Sequence, residues 1–144
     1  MHITYLCSKH AEWVYGHPVE ALHFLARDEL QGDLLLQDTR YREAIPYLGC
    51  AFDIAVLLYD LEEGQNHSIA SKILALAYKL SLAYQHVDAP QELAAILSRA
   101  VAVTRPGTRL QETELSPAFL MHLIKQGDAV NNESILAGQS YAET

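Results

Sequence analysis

Cysteine is scarce in this sequence, and the histidines are not spaced for metal binding. The two cysteines, Cys7 and Cys50, belong to no CxxC motif, and two are too few for a disulfide framework. None of the seven histidines lies four residues from another, the spacing that sets two imidazoles on one helix face around zinc. We therefore predict no metal site and no other cofactor. The low cysteine content favours a reducing, cytoplasmic compartment.

Signatures of nucleophilic and phosphate chemistry are also missing. The sequence has no GxSxG motif, and its seven glycines are too scattered to form a phosphate-binding loop. Cys7 and Cys50 lie in apolar helical contexts and are expected to be small core residues. The carboxylate pairs Asp28-Glu29 and Glu62-Glu63 are typical of helix surface. We predict no catalytic residue and expect a protein that is not an enzyme.

Basic residues are also few in this sequence. The chain has 18 acidic and 10 basic residues, a formal net charge of −8, and no lysine- or arginine-rich run. Non-specific binding to nucleic acid or to an anionic membrane requires a positive surface, so neither is expected. The acidic balance indicates either solubility alone or attraction for a basic partner.

A hydrophobic run suited to a membrane is not expected either. The most apolar stretch, 44–61, contains Pro46, Gly49, Asp53 and Asp60. Charged side chains inside a membrane span are costly in a bilayer, so we interpret residues 44–61 as a helix buried in the protein. The first residues are too short and too polar a segment for a signal peptide.

Asp53 stands out because it interrupts this apolar helix. Gly49, Asp53, Val56 and Asp60 fall along one stripe, and the simpler interpretation is that the stripe faces solvent. The alternative is a buried or interface aspartate paired with an arginine or a tyrosine.

What the sequence does contain is helical periodicity. No segment shows sustained alternation of apolar and polar residues, whereas apolar residues recur at spacings of three to five. Helices are predicted over 3–15, 18–37, about 40–63, about 66–86, about 88–103 and 116–127, with a short last helix starting near 131. This is an all-α fold with six to seven helices.

Several helix starts carry recognisable signals. Pro18 suits the first turn of the second helix, and Asn66 or Ser68 caps the fourth. Asp88 begins a capping box with the glutamine three residues on, which predicts the start of the fifth helix. Ser116, followed directly by proline, predicts the start of the sixth.

Short connections between these helices predict antiparallel hairpins. We expect one helical domain over 1–144, made of an N-terminal helix (1–17), a first hairpin (18–64), a second hairpin (66–106) and C-terminal helices (116–144). The two hairpins share a pattern of small and large residues. Aligning Gly32 with Ser81 also aligns Leu35 with Tyr84, Leu48 with Leu97 and Ala51 with Ala100. Small residues let two helices approach closely, and large ones fill the space around the crossing.

This pattern resembles the tetratricopeptide repeat. The stretch from Gly32 through Tyr41, Ala44 and Leu48 to Ala51 carries the resemblance best, and residues 74–106 carry it more weakly. Two departures are plain: equivalent positions lie 49 residues apart where the family repeat is near 34, and Thr39-Arg40 replaces the usual turn glycine. The resemblance implies either a right-handed superhelix of hairpins or, with regular stacking lost, an α-α bundle.

The resemblance also implies a binding face on the first helix of each hairpin. In the first hairpin the matching positions are Ala26, Glu29, Asp33, Leu36 and Gln37. In the second they are Ala75, Tyr78, Leu82, Gln85 and His86. The implied groove is acidic at one end and aromatic or apolar at the other. The alternative is that these positions pack against the terminal helices of the chain itself.

The favoured function is a non-catalytic, cytoplasmic helical scaffold that binds a peptide or helix of a protein partner. A small acidic chaperone of the secretion type is a close variant. A structural homodimer, pairing the apolar faces of the third and fourth helices, is a further alternative. An enzyme or ligand-binding helical bundle is the least favoured.

Overall fold

The computed structural model describes residues 1–127. Its α-helices are α1 (Ser8–Gly16), α2 (Pro18–Gln37), α3 (Tyr41–Leu61), α4 (His67–His86) and α5 (Pro90–Thr104). A 3-10 turn (Glu112–Glu114) follows, and residues 117–127 are helical. Within this described range there is no strand, and the predicted all-α fold with about six helices is confirmed. The helix predicted near 131 lies outside the described residues.

Each long helix packs against the next one along the chain. The α2–α3, α3–α4 and α4–α5 pairs make the main helix contacts, and α1 lies against α3 and α2. The connections at 38–40 and 87–89 are only three residues long, so α2–α3 and α4–α5 form hairpins. Helices of 20 and 21 residues account for the long spacing between the equivalent positions of the two hairpins.

The small residues of the aligned pattern lie in the core between the helices. Gly32, Ala51, Ser81 and Ala100 are all buried. Their large counterparts are buried as well, namely Leu35, Leu48, Tyr84 and Leu97. All eight aligned positions are therefore in the core, and the close helix approach expected at the small residues is seen at Gly32, against Leu48.

At Gly32 the backbone of α2 lies close against α3. A Cβ atom built there would lie 2.6 Å from the Leu48 side chain. Gly32→Val is expected to lower the free energy of unfolding by about 2 kcal/mol, because added methyl groups force Leu48 and the helix axes apart. Urea denaturation measures this, with Gly16→Val as control since no atom lies within 4 Å of a Cβ at Gly16. Equal losses in both variants would contradict the assignment.

Three helix starts follow the predicted signals. Pro18 occupies the first turn of α2. The Asn66 side chain accepts a hydrogen bond from the Ile69 N–H at 3.1 Å, and Ser116 Oγ accepts one from the Phe119 N–H at 3.2 Å. Asn66, rather than Ser68, is thus the cap of α4.

The capping box predicted at Asp88 is wrong. Asp88 has φ +56°, and α5 begins at Pro90 without a side-chain cap. The Ala89 N–H donates instead to the Tyr84 carbonyl, which closes the end of α4. Thr39 and Glu63 take the same left-handed position after α2 and α3. Aspartate tolerates this conformation, so Asp88 ends one helix rather than starting the next.

The first helix is shorter than predicted. It begins at Ser8 instead of residue 3, and residues 1–7 are not helical. Cys7 is the N-cap residue and is exposed, so its expected place in the core is wrong, whereas Cys50 is half-buried.

The apolar helix α3 is long and hydrophobic enough to cross a membrane by length and composition. Its most apolar window has a mean hydropathy of 1.5, but half of that window is buried among the other helices. Core helices of soluble proteins meet the same criterion.

Candidate functional site

The most elaborate polar cluster in the described chain surrounds Asp53. Its Oδ2 accepts hydrogen bonds from the backbone N–H groups of Tyr5 and Leu6, the second at 2.8 Å. Its Oδ1 is bonded to the Arg99 guanidinium, whose Nη1 also donates to the Ile3 carbonyl at 3.0 Å. The Asp53 side chain is only 5% exposed. The solvent-facing interpretation of Asp53 is wrong, and the alternative, a buried aspartate paired with an arginine, is confirmed.

The ring of Tyr5 extends this cluster toward the core. It lies directly over Gly49, where a Cβ would overlap the ring. Its hydroxyl is 2.6 Å from the Tyr84 hydroxyl. Residues 3–6 thus pack against α3 at Gly49 and Asp53, which lie one helical turn apart. The Asp53 carboxylate and the Arg99 guanidinium thus hold the N-terminal segment of the chain.

Because Tyr5 and Tyr84 are buried, we expect the free energy of unfolding to fall at alkaline pH. Burial raises the pKa of both Tyr5 and Tyr84 above the ordinary value of 10.0. Below about pH 10 both states keep the protons, and stability is unaffected. Above it the unfolded chain ionises while the folded chain does not, so stability falls as pH rises. The double variant Tyr5→Phe/Tyr84→Phe should show a shallower fall in urea denaturation above about pH 10. Tyr47→Phe is the exposed control, and identical slopes for both would refute the linkage.

The predicted binding face on α2 and α4 is crossed by ion pairs. Lys72 Nζ lies 2.7 Å from Glu29 Oε1, and Lys79 Nζ lies 2.8 Å from Asp33 Oδ1 and 3.3 Å from Glu29 Oε2. Burial opposes the charge of Lys79, but the hydrogen bond to Asp33 and the attraction of both carboxylates outweigh it and raise its pKa. Glu29 and Asp33 are thus paired with Lys72 and Lys79. The resemblance implied an acidic groove at this end, but the two lysines offset that charge. Glu29 is also not ordinary helix surface, because its side chain is only 13% exposed.

The other residues of the predicted face differ in accessibility. Leu36, Tyr78 and Leu82 are half-buried at the edge of the core. Three polar residues at the far end of the two helices, Gln37, Gln85 and His86, are exposed. The His86 ring stacks on Tyr41 with centroids 3.9 Å apart. The polar partners of the N-terminal segment are Asp53 on α3, Arg99 on α5 and the buried Tyr84 on α4.

A feature that sequence reasoning missed is the apolar outer face of α2. Val19, Leu22, Ala26, Leu30 and Leu34 follow one another at spacings of three or four residues and are all exposed. The exposed fractions are 65% for Val19, 61% for Leu30 and 51% for Leu34. These five residues, here called the α2 apolar face, adjoin Glu29 and Asp33 on the same helix. In the sequence they merge with Ala21, Leu25 and Leu35, which have the same periodicity but point into the core.

Comparison with known proteins gives no assignment: no protein-family model matches the chain, and no curated protein or solved structure is significantly similar to it.

Proposed function

We propose that this protein is a non-catalytic interaction module whose α2 apolar face binds an amphipathic helix of a partner protein. The observation that supports this best is the row of exposed large apolar side chains along α2, while the apolar residues of α3 and α4 are mostly buried within the chain. Keeping such a row in water is unfavourable, and burying each leucine contributes about 1.5–3 kcal/mol.

A helix is the occupant that fits this surface. The exposed residues recur every three or four positions along nearly the full 20 residues of α2, which matches the apolar stripe of a second helix packed alongside. The mixed charges beside it, Glu29 and Asp33 with Lys72 and Lys79, favour a partner with both signs of charge over a purely basic peptide. Leu36, Gln37, Tyr78, Leu82, Gln85 and His86 form the remainder of the proposed contact surface. A secretion-type chaperone, acting in the cytoplasm, would use the same surface.

The test is affinity capture from the native host with two variants. The double variant Leu30→Glu/Leu34→Glu places charges on the α2 apolar face, and Leu61→Glu places one on an exposed leucine of α3 that lies outside it. Both should fold, since exposed substitutions change stability by only about 0.5 kcal/mol. We expect a protein that the wild type and Leu61→Glu retain and that the double variant loses by at least about 30-fold, the effect of one hot-spot residue. Equal recovery by all three would refute the proposal.

A structural homodimer is the second candidate. The apolar residues of α3 and α4, predicted to form its interface, are mostly buried within the chain, so the α2 apolar face is the surface that would pair with its copy. Light scattering of the purified chain then gives a doubled mass for the wild type and a single mass for the double variant. That result would assign the α2 apolar face to self-association. A single mass for both leaves the face free for a different protein.

A further inference from the structure

A separate cavity lies between α1, α2 and α3, on the opposite side of α2 from α4. Its volume is about 490 Å³, within the range of small-molecule sites. Trp13, Phe24, Cys50 and Ile54 are among its lining residues, and Asp28 and Arg27 are its charged members. This cavity is not part of the proposed protein-binding surface.

Two aromatic rings form one wall of the cavity. Trp13 and Phe24 meet edge to face, with centroids 5.3 Å apart and planes at 77°. The Arg27 guanidinium lies over the Phe24 ring, 4.4 Å from its centroid. The chain thus already places one cation against this aromatic wall, the arrangement that cation–π attraction favours.

Asp28 is a poorly solvated carboxylate in this apolar surrounding. Its side chain is 16% exposed, and its ionic neighbour, Arg27 Nε, is 3.9 Å away. Burial raises the pKa of Asp28, and Arg27 only partly offsets this. No side-chain hydrogen bond within residues 1–127 reaches its carboxylate, and the carboxylate oxygens keep some contact with solvent. The pair Asp28-Glu29 is therefore not the solvated helix surface that the sequence suggested.

Negative charge acts on the Cys50 thiol in the cavity wall. Burial is the first cause that raises the pKa of the Cys50 thiol, and the negative charges of Asp28 and Asp53 are the next. The Arg27 side chain, by contrast, is 68% exposed, whereas that of Asp28 is 16% exposed. Asp28 is therefore the less exposed of the two charges and the group that a cation inside the cavity would meet.

We propose that this cavity binds a small amphipathic amine, with its ammonium group on the Asp28 carboxylate and its apolar body against Trp13, Phe24 and Ile54. A charge-assisted N–H···O bond would supply what the carboxylate lacks, and the aromatic wall would exclude water around it. The Arg27 guanidinium acts as a tethered competitor for the same place.

Trp13 is the only tryptophan of the chain, so its fluorescence reports on the cavity directly. We expect 2-phenylethylammonium to shift this emission saturably, with a Kd of about 1 mM or tighter. The neutral 2-phenylethanol and the anionic 3-phenylpropionate should bind at least about tenfold more weakly, since a charge-assisted hydrogen bond contributes about 1.5–3 kcal/mol.

Variants locate the charge responsible. Asp28→Asn should remove the preference for the amine, whereas the exposed control Asp38→Asn should keep it. Arg27→Gln should keep or tighten amine binding because it removes the competitor. Backbone amide shifts in the wild type, mapped to residues 13, 50 and 54, confirm the place of binding without any variant. Absence of saturable binding, preference for the anion, or an unchanged preference in Asp28→Asn would each overturn the proposal.

Discussion

Asp53→Ala is expected to lower the free energy of unfolding by about 3–5 kcal/mol, the usual effect of removing one partner of a buried ion pair. The Arg99 guanidinium, only 20% exposed, would keep its charge without its partner. The N–H groups of Tyr5 and Leu6 would lose their acceptor at the same time. Since small domains are stable by about 5–15 kcal/mol, the variant should be marginally folded.

Urea denaturation measures this loss, with Asp60→Ala as the matched control. Asp60 lies on the same helix but is exposed, and it accepts one long hydrogen bond from Tyr15 at 3.2 Å. Its removal should change stability by less than about 0.5 kcal/mol. A cycle with Arg99→Leu should show strong coupling, because Arg99 is itself unpaired once Asp53 is gone. Similar losses for Asp53→Ala and Asp60→Ala would contradict the buried pair.

Phe52→Ala is expected to lower the free energy of unfolding by about 3–5 kcal/mol for a different reason. Phe52 is completely buried in α3, and the Arg99 guanidinium lies 5.0 Å from its ring centroid. Truncation leaves a cavity that rigid helices on both sides cannot close. Phe24→Ala removes a ring that is 37% exposed, so it should cost far less in the same thermal or urea measurement. Equal costs would show that Phe52 is not a packing centre.

The helices and their pairing could be predicted from the sequence because local chemistry determines them. The periodicity of apolar residues predicted the helices, and capping residues such as Ser116 predicted where they begin. The alignment of Gly32 with Ser81 identified two core positions, because close helix packing favours small residues. The same reasoning was wrong at Asp88, because an aspartate near a helix boundary is as compatible with the end of one helix as with the start of the next.

The site was harder to predict because it depends on contacts between distant parts of the chain. The hydrogen-bond partners of Asp53 lie 46 to 48 positions away from it in the sequence. No local sequence pattern distinguishes a solvent-facing aspartate from a buried one. The leucines of α2 posed the related problem of two apolar faces on one helix. Leu25 and Leu35 are buried, and Leu30 and Leu34 are exposed, although all four share one periodicity.

The proposed binding role of α2 is tested most directly by titrating the captured partner, once purified, against the wild-type chain and its variants by calorimetry. The wild type and Leu61→Glu should bind with the same affinity and with a negative heat-capacity change, the mark of buried apolar surface. Leu30→Glu/Leu34→Glu should weaken binding by at least about 30-fold. An unchanged affinity in the double variant would contradict the proposal that the α2 apolar face is the interaction surface.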